Sequence, residues 1–285
     1  MNDETDRTRS HSHEIEIDVP IERVWKAISD AEEITRWFSE EAKVTPGEGG
    51  HFWVSWGQGQ SGASRIEIWE PERRLRLANL PAENEFGPEA ARPTLKIPIV
   101  EEYTLTSRGN RTVLRLVHSN IPDSPDWDGF YDGTNRGWDM FFLGLRHYLT
   151  KHWGKPRKTI MAMQPVPFGF QEAWDTLIGE GGFDALSNLQ PGERYSFTTS
   201  AGDALTGEVV MALPPKTLCA TVENIDESFL SVAFEEMGGK TFFYLTLATF
   251  GMDPEKFEEL QERWTAWLKR IYPFDPVSID AKPIR

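Results

Sequence analysis

The chain has 285 residues, 39% of them hydrophobic and 12% aromatic, which is enough apolar material for two packed cores and too much for a disordered polymer. Thirty basic side chains against 45 acidic ones give a net charge of −15, which repels phosphate backbones and anionic lipid and argues against nucleic acid as a partner. No apolar run approaches the roughly 20 residues of a membrane-spanning helix, the single Cys219 cannot form an internal disulfide, and with no basic-then-apolar leader a cytoplasmic protein is expected.

Residues 1–13 are polar without apolar periodicity, so a loose tail is expected there. Glu14-Ile15-Glu16-Ile17-Asp18-Val19 alternates as a half-buried strand does. After Pro20, Ile21, Val24, Trp25 and Ile28 recur at helical spacing, and a second short helix carries Ile34, Trp37 and Phe38. From Glu41 to Ser119 the period becomes two, which predicts strands over 42–45, 51–56, 64–70, 74–80, 97–107 and 112–119, separated by Gly and Pro. Short turns between consecutive strands make the sheet antiparallel. A long helix begins at about Trp127, with Trp138, Phe141, Phe142, Leu145, Leu149 and His152 along one side; a stripe of that length must cover the preceding sheet.

The same order recurs. Val166-Pro167 repeats Val19-Pro20, and Phe170, Ala173, Trp174, Leu177 and Ile178 repeat the first amphipathic helix. Strands are predicted over 194–199, 206–213, 217–222, 229–235 and 241–249. Asp253-Pro254-Glu255 is a strong helix start ahead of Phe257, Leu260, Trp264, Leu268 and Ile271. The fold class expected is α+β, two copies of one unit over residues 14–153 and 158–272, with a linker around Gly154–Lys158.

Ile17-Asp18-Val19-Pro20, Val24-Trp25-Lys26-Ala27, Arg36-Trp37-Phe38, Gly50-His51-Phe52 and Glu70-Pro71-Glu72-Arg73-Arg74-Leu75 resemble the START-like SRPBCC superfamily, in the branch named after activators of the heat-shock chaperone ATPase. The resemblance covers most of residues 14–153; beyond them it rests on element order and Leu213-Pro214-Pro215-Lys216-Thr217-Leu218. It implies a helix-grip fold, a curved antiparallel sheet around a long C-terminal helix, often with an apolar cavity between them. Members bind lipids, polyketides or other hydrophobic molecules, and some are cyclases or other enzymes. The segment 81–96 is longer than a plain connection and reads as a cavity lid or a surface loop.

Gly57-Gln58-Gly59-Gln60-Ser61-Gly62 matches a dinucleotide fingerprint, but Arg65-Ile66-Glu67-Ile68-Trp69 just beyond it alternates as a strand does, so the motif reads as a hairpin loop and implies no cofactor. Asp123, Asp126, Asp128 and Asp132 suit a helix N-terminus better than a calcium loop. His11 with His13 lies at the edge of the expected tail, and His51, His118, His147 and His152 lack zinc-ligand spacing, so no metal site is expected. His118 shares a strand face with Leu114 and Leu116; it is either a polar group in an apolar pocket, with Tyr103 beside it, or a strand-end residue touching solvent.

The expected function is binding of a hydrophobic small molecule or lipid between sheet and long helix of the first unit, with Trp53, Leu77, Tyr103, His118, Tyr131, Trp138 and Phe142 as candidate ligand contacts. No catalytic residue is assigned. The alternatives are a helix-grip enzyme of cyclase or hydrolase type using His118 and Tyr103, and a chaperone-activator-like interaction protein whose second unit is a docking surface or homodimer contact.

Overall fold

Order begins before the apolar alternation does. In the computed structural model, which describes residues 7–57, 60–79, 97–237 and 239–273, the first strand, β1, is Thr8–Ile17. The expectation of a loose tail through His13 is therefore corrected to sheet. The cause is that Ile17, Ile15, His13 and His11 share one face, with imidazoles continuing an inward row that the isoleucines start.

The chain divides into two compact units, Met1–Arg157 and Lys158–Arg285. In the first, β1 is followed by α1 (Ile21–Ser29), α2 (Ala31–Thr35), β2 (Glu41–Val44), β3 (His51–Gly57), β4 (Gln60–Glu70), β5 (Arg74–Asn79), β6 (Val100–Arg108), β7 (Arg111–Pro122) and the long α3 (Asp128–Lys151). All seven strands join one antiparallel sheet in the order β1-β7-β6-β5-β4-β3-β2. β4 pairs directly with β3, so the glycine motif leads into a strand and not a helix; Gln58 and Gly59 lie outside the described residues, as does the segment 81–96. Of the four aspartates, Asp128 pairs with Arg9 at 2.7 Å and Asp132 with Arg136 at 3.0 Å.

The second unit runs β8 (Arg157–Val166), α4 (Phe170–Gly179), β9 (Arg194–Thr198), β10 (Ala204–Leu213), β11 (Thr217–Val222), β12 (Ser228–Met237), β13 (Lys240–Phe250) and α5 (Pro254–Ile271). Its sheet order, β8-β13-β12-β11-β10-β9, traces the same path with one strand fewer. Both are α+β helix-grip units: the first strand returns beside the last, and a long helix comes after it. As the sequence predicts, Asp253 caps α5, its carboxylate accepting from the Glu255 and Lys256 amides at 3.0 and 3.3 Å, and Pro254 opens the first turn. Gly207, in β10, lies where a Cβ would come within 1.9 Å of the Thr221 carbonyl oxygen, so no other residue fits there.

One buried charge joins α2 to α3. Glu33 is 1% exposed, receives the Tyr148 hydroxyl at 2.5 Å and the Arg36 guanidinium at 2.5 Å, and has the Lys26 ammonium 3.5 Å away. Three donors converge on one carboxylate, so its removal takes the buried Tyr148 hydroxyl's acceptor away and leaves Arg36 with Glu32 alone. Glu33→Ala is expected to cost about 3 kcal/mol in urea unfolding followed by tryptophan fluorescence, because breaking one side of a buried pair leaves the other uncompensated. An unchanged unfolding midpoint would refute this role for the carboxylate.

Candidate functional site

The inward faces of β1, β7, β6 and β5 meet in rungs set by the strand register. One rung is His11–His118–Glu101–Leu77, the next is His13–Leu116–Tyr103–Leu75, and the third begins Ile15–Leu114–Leu105. Polar side chains therefore enter an otherwise aliphatic face as one block at its end. α3 lies over that block and brings Thr134, Trp138 and Asp139 to it, residues whose spacing of four and five places them on adjoining sides of the helix.

Two of the three histidines, His13 and His11, are tied in series. His13 Nδ1 lies 2.6 Å from Asp139 Oδ1, His13 Nε2 lies 2.8 Å from His11 Nδ1, and His11 Nε2 lies 3.1 Å from Thr134 Oγ1. Thr134 is also 2.8 Å from the Phe130 carbonyl oxygen. The same heavy-atom positions accept two protonation states. In the neutral one, Thr134 donates to His11, His11 to His13 and His13 to Asp139. With one proton more, Thr134 turns to Phe130 and every donor direction between it and His13 reverses. The outer end of this relay is wet, since the Asp139 side chain is 50% exposed while that of His13 is 5% exposed. His118, 3% exposed, is held separately: its Nδ1 accepts from Trp138 Nε1–H at 3.2 Å, and its ring lies edge-on to His11 at 5.0 Å. The solvent-touching alternative for His118 is thus corrected. Burial lowers His118 to about 3 and His11 to about 4, and nearby imidazoles add to both shifts.

Glu101 has a different environment. Among the described residues its hydrogen-bond partner is the Tyr103 hydroxyl, which donates to Oε2 at 3.1 Å. Burial pushes its carboxyl up to about 7, with the Tyr103 hydrogen bond opposing, and the same burial and the adjoining carboxylate push Tyr103 up. Tyr103 lies edge-on to Trp138 at 5.9 Å, and from Trp138 an aromatic cluster continues outward. Phe38 stacks on Trp138 at 5.7 Å and 13°, and Phe141 and Trp56 pack edge-on against Phe38 at 4.8 and 5.0 Å. Phe38, Trp56 and Phe141 are each only half-buried.

Of the sequence-predicted contacts, Leu77, Tyr103, His118, Trp138 and Phe142 come together here, with Phe142 against His13 at 6.5 Å. Tyr131 packs on His11 at 5.2 Å and donates to the Ser10 carbonyl. Trp53 does not join them. Phe52 and Val54 take the inward face of β3, and alternation turns Trp53 to the opposite one, where Lys43 lies over its ring at 4.9 Å. Tyr103 is one rung from His118, and Glu101 holds the position beside it. The sequence reading missed His11, His13, Glu101, Thr134 and Asp139 as site residues. Period two carried back through His13 and His11, and the shared phase of Glu101 with Tyr103, were the available signals. Among the described residues no three His, Cys, Asp or Glu side chains converge as a metal site would need. Among the described residues the second unit has no equivalent block at the matched rungs. Its last hairpin closes on Met237–Lys240 as the first unit's closes on Arg108–Arg111, which aligns Leu230 with Glu101, Val232 with Tyr103 and Leu247 with His118. All three are 0% exposed.

A histidine whose folded value is depressed destabilises the fold on acidification, because the unfolded chain takes up its proton first. For His118 the effect is absent above its ordinary 6.5 and grows as pH falls towards about 3. Glu101, raised from 4.5 to about 7, works in the opposite sense between those values. His118→Gln keeps an acceptor for Trp138 and removes the first effect. Relative to the parent, it should gain about 2 kcal/mol between about pH 6.5 and pH 5 in urea unfolding, at roughly 1.4 kcal/mol per pH unit. Parallel pH profiles for the two proteins would rule out a neutral buried His118.

No curated protein sequence matches the chain. Among solved structures, CalU16 from Micromonospora echinospora is 28% identical with a TM-score of 0.39, over 50% of this chain and 77% of its own. The Aha1 dimer from Colwellia psychrerythraea is 18% identical with a TM-score of 0.42, over 50% and 96%. The di-domain ARO/CYC BexL from the BE-7585A biosynthetic pathway is 14% identical with a TM-score of 0.42, over 94% and 100%. The family described as "Activator of Hsp90 ATPase homolog 1-like protein" matches residues 18–150, from the end of β1 to the end of α3. The resemblance read from the sequence is thus borne out for the first unit, over residues 18–150.

Proposed function

We propose that the first unit binds a hydrophobic small molecule against the half-buried rings of Phe38, Trp56 and Phe141, with the inner polar block orienting it. One observation carries this reading. The two units share a fold path, yet at matched rungs the first has Glu101, Tyr103 and His118 where the second has Leu230, Val232 and Leu247. The apolar set is a sufficient solution for this fold, and an under-satisfied carboxyl in such a place costs on the order of 1–3 kcal/mol. Stability alone therefore does not account for the polar set, whereas a ligand that meets its hydrogen-bonding capacity does.

The catalytic alternative fits the geometry less well. His118 has one nitrogen committed to Trp138, and with its value held at about 3 it is a weak general base. Binding without turnover requires neither nitrogen to be free.

Nile red, a neutral dye that brightens in apolar surroundings, should titrate to saturation at one site per chain. Phe38→Ala and Phe141→Ala should each weaken it by about tenfold, the loss of one packed ring. Native mass spectrometry on protein purified without detergent should show a small molecule retained by the parent and depleted in both variants. Unsaturable dye binding together with a ligand-free mass would overturn the reading.

A further inference from the structure

Resting on that reading, we propose that the ligand is a hydrophobic molecule bearing a protonated amine, and that Glu101 is its counter-ion. Among the described residues, Glu101 is the acid of the inner block that no cation meets. Its Oε2 is taken by the Tyr103 hydroxyl, and among the described residues no donor meets Oε1. The other inward carboxylates are answered: Glu33 by Arg36, Lys26 and Tyr148, and Asp139 by His13. On the outer face of the sheet, Glu67 and Glu102 share Arg76 at 3.0 and 2.7 Å. A carboxylate placed against apolar and aromatic groups without a partner is an incomplete ion pair, and the missing half is a cation.

The groups facing Glu101 select which cation. From β5 comes Leu77, from β6 Tyr103, and from β7 His118, with His11 and then His13 beyond it on β1. α3 supplies Trp138, with Asp139 on the far side of His13. None of the near groups carries a positive charge at neutral pH, since His118 and His11 are held neutral by burial. The Tyr103 and Trp138 rings favour an ammonium on their faces, and the Phe38 cluster beyond them takes an apolar body. A compact metal ion needs several ligands, and among the described residues no three His, Cys, Asp or Glu side chains converge here. The net charge of −15 draws organic cations to the protein and repels organic acids of the same size.

The probes are 1-naphthylmethylamine and its neutral isostere 1-naphthylmethanol, titrated calorimetrically into the full chain. At about pH 8, where Glu101 is ionised, the amine should bind about tenfold more tightly than the alcohol, and by about pH 6 the preference should shrink towards unity. Glu101→Gln, nearly isosteric, should abolish the preference at both pH values, the amine's affinity falling to that of the alcohol. Equal affinities in the parent at the higher pH, or a preference that survives in Glu101→Gln, would overturn the amine assignment and leave apolar binding standing. If neither probe binds the parent, the binding reading itself falls. The parent's pH comparison decides the matter even where the variant does not fold.

Discussion

The three imidazoles on the inner face of the sheet are each answered by the element that covers them, and this constraint fixes where α3 lies. Thr134 reaches His11, Trp138 reaches His118 and Asp139 reaches His13. A shift of α3 by one turn, about 5.4 Å, would separate all three pairs and leave buried nitrogens unpaired. Aliphatic packing alone tolerates small sliding; three directional contacts to three different side chains do not. The same contacts secure β1, which lies at the edge of the sheet and bonds by backbone to β7 alone among the described strands. Its first residues are held from α3 by Arg9 on Asp128, by the Arg9 guanidinium over the Tyr131 ring at 4.4 Å, and by Tyr131 donating to Ser10.

The second unit shows what the fold does when no such block is present. Its long helix sets Trp264 and Trp267 into the interior, with Trp267 stacked on Phe183 at 5.7 Å and 10°. Each indole N–H finds a partner near the margin, Trp264 on Asp203 and Trp267 on Ser200, so the polar atoms of these two rings leave the core rather than entering it. The sheet face beneath is Leu230, Val232, Leu245 and Leu247. In the first unit, by contrast, the Trp138 N–H points inward to a histidine. One fold path thus carries two interiors, of which only the first retains chemistry that a core does not need.

Most of the architecture was legible from periodicity. Strands over 51–56, 217–222 and 241–249 match those found to within a residue or two, because their turns carry Gly or Pro and their inward positions are unambiguously apolar. The cap at Asp253 and the repetition of the unit were equally plain. What periodicity could not reveal was the polar half of the site. His11 and His13 alternate with serines, so on a hydropathy scale the segment reads as uniformly polar, and only pairing with β7 makes the alternation meaningful. Glu101 adjoins Glu102, and nothing local distinguishes the inward acid from the one that meets Arg76 on the opposite face. Trp53 failed for the reverse reason: a large apolar residue in a strand looks inward-facing until the phase of Phe52 and Val54 is known.

The imidazoles do not serve Glu101 as counter-ions, although one stands on the neighbouring strand at the same rung. Three rings lie within 5.0 Å of one another in sequence, His13 to His11 to His118, and charging the inner two would place like charges side by side in a poorly solvated space. Among the described residues the outermost ring has a carboxylate in contact, Asp139, and that carboxylate is exposed enough to be solvated at the same time. The wet end of the row therefore lies at His13, away from Glu101. Charging His118 would require the Trp138 N–H, which points at its Nδ1, to give up its acceptor. The arrangement separates two tasks on one sheet face: the relay fastens β1 to α3, and the carboxyl beside it stays uncompensated. Had Glu101 stood one strand over, opposite His13 and within reach of the relay, the two would have neutralised each other and the inner face would have closed on itself.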